Sequence, residues 1–328
     1  MGHGEPCFVI AEAGVNHNGK LSTAKRLVDA AYNAGADAIK FQTFVTQNLV
    51  SRALSRKQFD MLKKLELDKD SFLELRDYAS SRKLVFFSTP FDMESVRLLH
   101  KEVDVPLFKI SSGDLDNLPL LRAVAKTGRP MIVSTGMSTM DEISGAVDAV
   151  GPYCKGLVLT HCTSLYPPAF NEINLKAMDT IKKAFGAPVG YSDHTLGYEV
   201  SIAAVALGAC VIEKHLTLDK KMAGPDHKAS LDPKEFASMT KGIRNVEQAL
   251  GTAEKKPVPR EHKMRAYARK SITCIRDIRK GARIAAQDIA ILRPGGGMEP
   301  KHFDELVGRV AQVNIRQGQQ ITPDMLRR

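Results

Sequence analysis

Eight short apolar runs, each turning polar at its C-terminal end, punctuate the first 250 residues. They are FVIAEAG, ADAIKFQT, LVFFSTPF, LFKISSG, PMIVSTGM, GLVLTHCTS, PVGYSDH and CVIEKHLT. Their Val, Ile and Phe content predicts strands. Helical spacing fills the gaps. In TAKRLVDAAYNAG, the apolar residues Leu27, Ala30, Ala31 and Ala34 recur at helical spacing and Gly35 marks a stop. A strand–helix unit repeated eight times over about 250 residues predicts an α/β fold, a (β/α)8 TIM barrel. A doubly wound open sheet is the alternative, but no G-x-G-x-x-G follows the first strand.

The texture changes after residue 250. GTAEKKPVPREHK, residues 251–263, is charged and proline-containing and is expected to be a linker. Residues 264–328 show short β-rich pieces and turns. IRKGARIAAQDIA, from Ile278, echoes IRQGQQITPDML, from Ile315, with one residue inserted. The shared glycine suits a turn of positive φ. The expected organisation is a barrel at 1–250, a linker at 251–263 and a small module with pseudo-repeated halves at 264–328.

Active sites of such barrels lie where the strands end. The polar residues at these ends include Glu12, Asn16 and His17; Lys40 and Gln42; Thr89; Lys109, Ser112 and Asp114; Ser134; His161, Ser164 and Tyr166; Ser192, Asp193 and His194; and Glu213 and His215. Buried polar groups are costly unless paired or solvated, so their gathering at one end predicts a site.

His194 and His215 end neighbouring strands seven and eight, and two imidazoles so placed can hold a divalent metal with positions left for water and substrate. The plain alternative is a pair of structural histidines. Lys40 and Lys109 either form a Schiff base or bind an anion. With the hydroxyls of Ser112, Ser134, Ser164 and Ser192, they suggest a phosphate and carboxylate cradle. A Schiff-base aldolase remains a rival on this chemistry. Glu12, Asp114, Glu213 and Asp226 are candidates for orienting hydroxyls or moving protons. AGPDHKASL is expected to present Asp226 and His227 to the mouth. The constellation suits carbon–carbon bond formation between a phosphorylated acid and a sugar aldehyde.

The chain is 43% hydrophobic and 26% charged, as a globular protein is. No apolar run approaches the roughly 18 residues of a membrane helix. PCFVIAEAGV lacks a basic start and is broken by Glu12, so no signal peptide is expected. The five scattered cysteines form no C-x-x-C pair; a reducing, cytoplasmic setting is expected. The net charge of +10 is uneven: residues 251–328 carry 17 Lys and Arg against 8 Asp and Glu. Such a tail either binds nucleic acid or polysaccharide beside an inactive barrel, or covers a site for an anionic small molecule. Tyr267 and Phe303 are its only aromatics, unlike a single-strand binder.

Taken together, AEAGVNHNG, IKFQT, FFSTPF, FKISSGD, STGM, HCTSLYP, GYSDHTLG, IEKHLTLD and GPDHKASL resemble the sialic acid (nonulosonate) synthase family along essentially the whole chain. The tail resembles its C-terminal antifreeze-like (SAF) domain. The resemblance implies a transferase of EC 2.5.1 type that condenses phosphoenolpyruvate with an N-acylated mannose-type sugar. The products would be a nine-carbon 2-keto acid and phosphate, formed by C–O cleavage. It implies Mn2+ or Mg2+ on His194 and His215. Lys40, Thr89, Lys109, Ser112, Ser134, Ser164 and Ser192 would hold phosphoenolpyruvate. Glu12, Gln42, Tyr166 and Asp226 would hold the sugar, with Glu12, Asp114 and Glu213 as catalytic candidates. It further implies a homodimer with swapped SAF domains, in which Arg293 of LRPGGG reaches the other copy's sugar, and no nucleic-acid or membrane partner. Ser164 and Asp114 stand where some members have Asn and Glu. N-acetylmannosamine, its 6-phosphate and 2,4-diacetamido-2,4,6-trideoxymannose all stay open as substrates; LKKLELDKDSF and SSGDLDNLPLL resemble the legionaminate branch.

Overall fold

The structure is a computed structural model and describes Gly2 and residues 4–327. Met1, His3 and Arg328, at the edges of the two expected domains, lie outside the described residues. The chain forms two compact units, Met1–Gly251 and Thr252–Arg328.

The first unit is a closed parallel barrel. Its strands are β1 (Phe8–Gly14), β2 (Ala38–Thr43), β3 (Val85–Pro90), β4 (Phe108–Ile110), β5 (Met131–Ser134), β6 (Leu157–Cys162), β7 (Val189–Asp193) and β8 (Val211–His215). Each falls within one of the eight expected runs. β1 closes on β8 with Glu12 opposite His215, and meets β2 with Glu12 opposite Lys40. The helix Leu21–Asn33 buries Leu27, Val28, Ala30 and Ala31 and ends before Gly35 at φ +76°, as its spacing predicts. One continuous core joins strand and helix side chains, with Phe41, Phe87, Phe108, Tyr191 and Phe236 fully buried. Burying each such side chain is worth about 1.5–3 kcal/mol. The polar ends beyond this core are therefore carried on a rigid wall.

The second unit corrects the linker expectation. Pro259–Ala268 is a helix, with Pro at its first turn and the Glu261 carboxylate accepting the Val258 N–H at 2.8 Å. Charged, exposed residues hid it, because no apolar stripe marks a helix that buries nothing within its own unit. Beyond it, β9 (Ser271–Cys274) pairs antiparallel with β10 (Ile289–Leu292). The two echoed segments meet: Ile278 and Ile315 exchange backbone hydrogen bonds, both at 2.8 Å. The flanking contacts repeat the symmetry. Asp277 Oδ1 accepts the Gln317 N–H at 2.7 Å, and Asn314 Oδ1 accepts the Lys280 N–H at 2.8 Å. Gly281 and Gly318 turn at φ +83° and +80°. A small core of its own includes Ile272, Ile284, Ile289, Leu306 and Ile321.

Candidate active site

The C-terminal ends of the strands enclose a cavity of about 250 Å³. Glu12, Lys40, Gln42, Thr89, Lys109, Ser112, Ser134, Ser164, Tyr166, Ser192, His194, Glu213 and His215 all line it. Strand alternation explains the strand residues among them, since every second residue near a strand end faces inward, while Ser112, Ser164, Tyr166 and His194 come from the loops that follow.

Two buried lysines dominate. Lys40 Nζ lies 2.8 Å from Glu12 Oε2 and donates to Thr89 Oγ1 at 2.9 Å. Lys109 Nζ donates to Ser134 Oγ at 2.6 Å and lies 3.5 Å from Glu213 Oε1. Ser134 and Thr160 share a further hydrogen bond of 2.8 Å, and Ser192 donates to Glu213 at 3.0 Å. The two carboxylates behave differently. Burial pushes the Glu12 carboxyl up, and Lys40 only partly offsets this. Burial pushes Glu213 the same way, but Lys109, Lys40 and the Ser192 hydroxyl outweigh it and hold Glu213 well below the usual carboxylate range. Glu12 is thus the carboxylate that takes a proton more readily and Glu213 the one held ionised, beside two lysines that can receive an anion.

The imidazoles of His194 and His215 stand with ring centroids 5.6 Å apart, and Tyr166 packs 4.1 Å from the former. Burial lowers both histidines, keeping them neutral, the form that binds metals. His194 Nδ1 donates to the Thr163 carbonyl at 2.9 Å, which fixes the tautomer and leaves Nε2 as a lone-pair donor. His215 Nδ1 is buried without a hydrogen-bond partner, 3.9 Å from Asp226 Oδ2. This orphaned atom and the fixed tautomer fit a two-histidine metal site. Among the described residues no group of three or more His, Cys, Asp or Glu is placed to hold an ion. An ion held by these two imidazoles alone would have further coordination positions to fill.

Some expected residues lie elsewhere. Asp114 does not line the cavity; it ends the tight turn Ser112–Asp114, and its carboxylate accepts from Asn117 Nδ2 at 3.2 Å. The turn redirects the chain away from the strand axis, so its side chain leaves the mouth. His227 is buried against Thr217, 2.7 Å from its hydroxyl, rather than presented to the mouth. Asp226 sits beside the wall near Gly14, Glu12 and Gln42. Asn16 and His161 bond loop groups, Asn16 to Leu216 and Ser230 and His161 to the Ile173 carbonyl. Arg293 is exposed in the second unit.

Phe91, Ser111, Gly113, Met137 and Cys162 also line the cavity and were not anticipated. One signal for this wall was available in STGM. A Cβ on Gly136 would stand 2.3 Å from Ser164 Oγ and 2.9 Å from Ser112 Oγ. Only glycine lets these two hydroxyls crowd the backbone, and the Gly136 N–H donates to Ser112 Oγ at 3.0 Å.

Residues 27–255 match the NeuB family, and residues 269–327 match the SAF domain. The chain is 46% identical over 329 residues to the N,N'-diacetyllegionaminic acid synthase of Legionella pneumophila, covering 95% of this chain and 92% of that one. It is 37% identical to the human N-acetylneuraminate-9-phosphate synthase, covering 99% of this chain and 94% of that one. The crystal structure of the N-acetylneuraminic acid (sialic acid) synthetase of Leptospira borgpetersenii serovar Hardjo-bovis in complex with citrate superposes with a TM-score of 0.75 at 37% identity, over 79% of this chain and 90% of that one. A barrel whose strand ends carry this cradle, followed by a SAF domain, thus belongs to the NeuB family of nonulosonic acid synthases.

Proposed function

We propose that this enzyme condenses phosphoenolpyruvate with an N-acylated mannose-type sugar aldehyde, releasing phosphate and a nine-carbon 2-keto acid. The preferred sugar is 2,4-diacetamido-2,4,6-trideoxymannose, giving legionaminate; the identity to the Legionella synthase, 46% against 37% for the human enzyme, supports this choice. The observation that carries the reading is the pair of buried lysines, each held by a carboxylate and a hydroxyl, in one cavity with two neutral imidazoles.

Lys40, Lys109, Thr89, Ser112, Ser134, Ser164 and Ser192 bind the phosphate and carboxylate of phosphoenolpyruvate. Glu12, Gln42, Tyr166 and Asp226 hold the sugar, with Glu12 carrying the proton that the aldehyde oxygen needs when the carbon–carbon bond forms. Glu213, kept ionised, accepts a hydrogen bond from the water that adds at carbon 2 and orients it, and the departing phosphate carries off that water's proton as the C–O bond breaks. Mn2+ or Mg2+ on His194 and His215 would supply a Lewis acid for the aldehyde oxygen. Arg293 of a second copy, carried by a swapped SAF domain in a homodimer, completes the sugar site. The setting is cytoplasmic, in keeping with the biosynthetic synthases this chain is similar to.

Phosphate release tests this directly, with phosphoenolpyruvate, Mn2+ and each candidate sugar in turn. Release only when all three are present supports the reading; no release with N-acetylmannosamine, its 6-phosphate or the diacetamido sugar rejects it. One observation favours a second reading, because burial lowers Lys109 and so favours the neutral amine a Schiff-base aldolase needs. Borohydride trapping of a pyruvyl adduct at Lys109 would select it.

A further inference from the structure

Asp193 and Lys214 form an ion pair wholly hidden from solvent, with Nζ 3.0 Å from Oδ2 and both side chains at 0% exposure. They are register partners on β7 and β8, one step beyond the cavity-lining pair Ser192 and Glu213. Alternation therefore sends them to the opposite face of the wall, behind the site. Lys214 Nζ donates to the Thr195 carbonyl at 2.6 Å. Asp193 Oδ1 accepts the Thr195 N–H at 2.9 Å and its hydroxyl at 2.8 Å. Asp193 Oδ2 accepts the Ser201 hydroxyl at 2.6 Å, from the helix Glu199–Ala206.

The consequence falls on the two histidines. His194 lies between Asp193 and Thr195, both held by this cluster, and His215 directly follows Lys214. Burying two charges costs desolvation that their attraction often fails to recover, and an apolar pair of similar volume serves stability as well or better. An apolar pair cannot direct the Thr195 carbonyl or fix the backbone on both sides of His194. Resting on the ligand role proposed above, we propose that the Asp193–Lys214 pair is a positioning device. It sets the separation and orientation of the His194 and His215 imidazoles for a shared divalent ion. Neither residue lines the cavity.

The test uses the full chain and reads Mn2+ affinity by electron paramagnetic resonance, alongside Tm and the kcat and KM for phosphoenolpyruvate. In D193L/K214M, packing is retained and the directed contacts are lost. The expected result is Mn2+ binding weakened roughly 10- to 100-fold, the range typical of lost outer-shell partners. The same variant should show reduced kcat, with Tm near wild type and the phosphoenolpyruvate KM nearly unchanged, because the lysine cradle is untouched. S201A and T195V each remove one hydroxyl donor to Asp193, and each should weaken Mn2+ by a smaller factor; they carry the test if the double variant fails to fold. Wild-type Mn2+ affinity and kcat in D193L/K214M, or in both single variants if it does not fold, would overturn the proposal. Wild-type protein that binds no Mn2+ would instead overturn the histidine ligand assignment on which it rests.

Discussion

Glu12 and Lys40 are register partners on β1 and β2, and their side chains meet at 2.8 Å with 2% and 3% exposure. Under the proposed reaction, this pair couples the stability of the barrel to its chemistry. Removing Lys40 takes a cation from beside two buried carboxylates, Glu12 at 2.8 Å and the ionised Glu213 at 3.9 Å, whereas neutralising Glu12 moves it toward the protonated form that burial favours. K40M should lose about 3–5 kcal/mol of stability, as broken buried pairs do. E12Q should keep its Tm and lose activity. Thermal unfolding and kcat/KM on the same preparations check this; an E12Q protein of wild-type activity would remove Glu12 from the chemistry.

Metal removal offers a second check. Chelation should abolish phosphate release, and added Mn2+ should restore it. H194A and H215A should each lose Mn2+ affinity, measured by calorimetry. Wild-type binding in both would refute the ligand assignment.

The proposed sugar site should show an acid limb. Burial pushes Asp226 up to about 6, with Lys40 opposing. Below that pH the carboxylate takes a proton and no longer accepts hydrogen bonds as an anion. The kcat/KM for the sugar should then fall about tenfold per pH unit below the limb. D226N should be low at every pH and lack the limb. A limb that persists in D226N assigns it to another group.

Gly136 sets how closely the Ser112 and Ser164 hydroxyls approach the backbone at the cavity wall. In G136A the new methyl must displace the Ser164 and Ser112 hydroxyls, which stand 2.3 and 2.9 Å from its position. Both are side-chain ends that can rotate away, so the fold survives while the cradle is lost. The KM for phosphoenolpyruvate should rise roughly tenfold, the equivalent of one charge-assisted hydrogen bond. An unchanged KM would show that these hydroxyls do not bind this substrate.

Most of the barrel was legible along the chain, because period-2 strands and apolar helix faces are local patterns. The switch from apolar to polar at each strand end is local too, so Lys40, Lys109, His194, Glu213 and His215 could be named before any fold was known. The echo of Ile278 in Ile315 announced two similar halves. Their direct pairing across the second unit was decided by the fold, because partner choice needs both segments in space. The helix Pro259–Ala268 stayed hidden, since it has no apolar stripe to read. Within the site, closure of the barrel decided the remainder. A tight turn carries Asp114 off the cavity wall, register places Cys162 on it, and the loops after β3 and β5 bring Phe91 and Met137 to it. The sequence alone determined which residue types end each strand. Which of them share one cavity, and that Glu12 is raised while Glu213 is lowered, depended on burial and on distances to Lys40 and Lys109. Those are properties of neighbours far apart in the chain, and only tertiary structure brings them together.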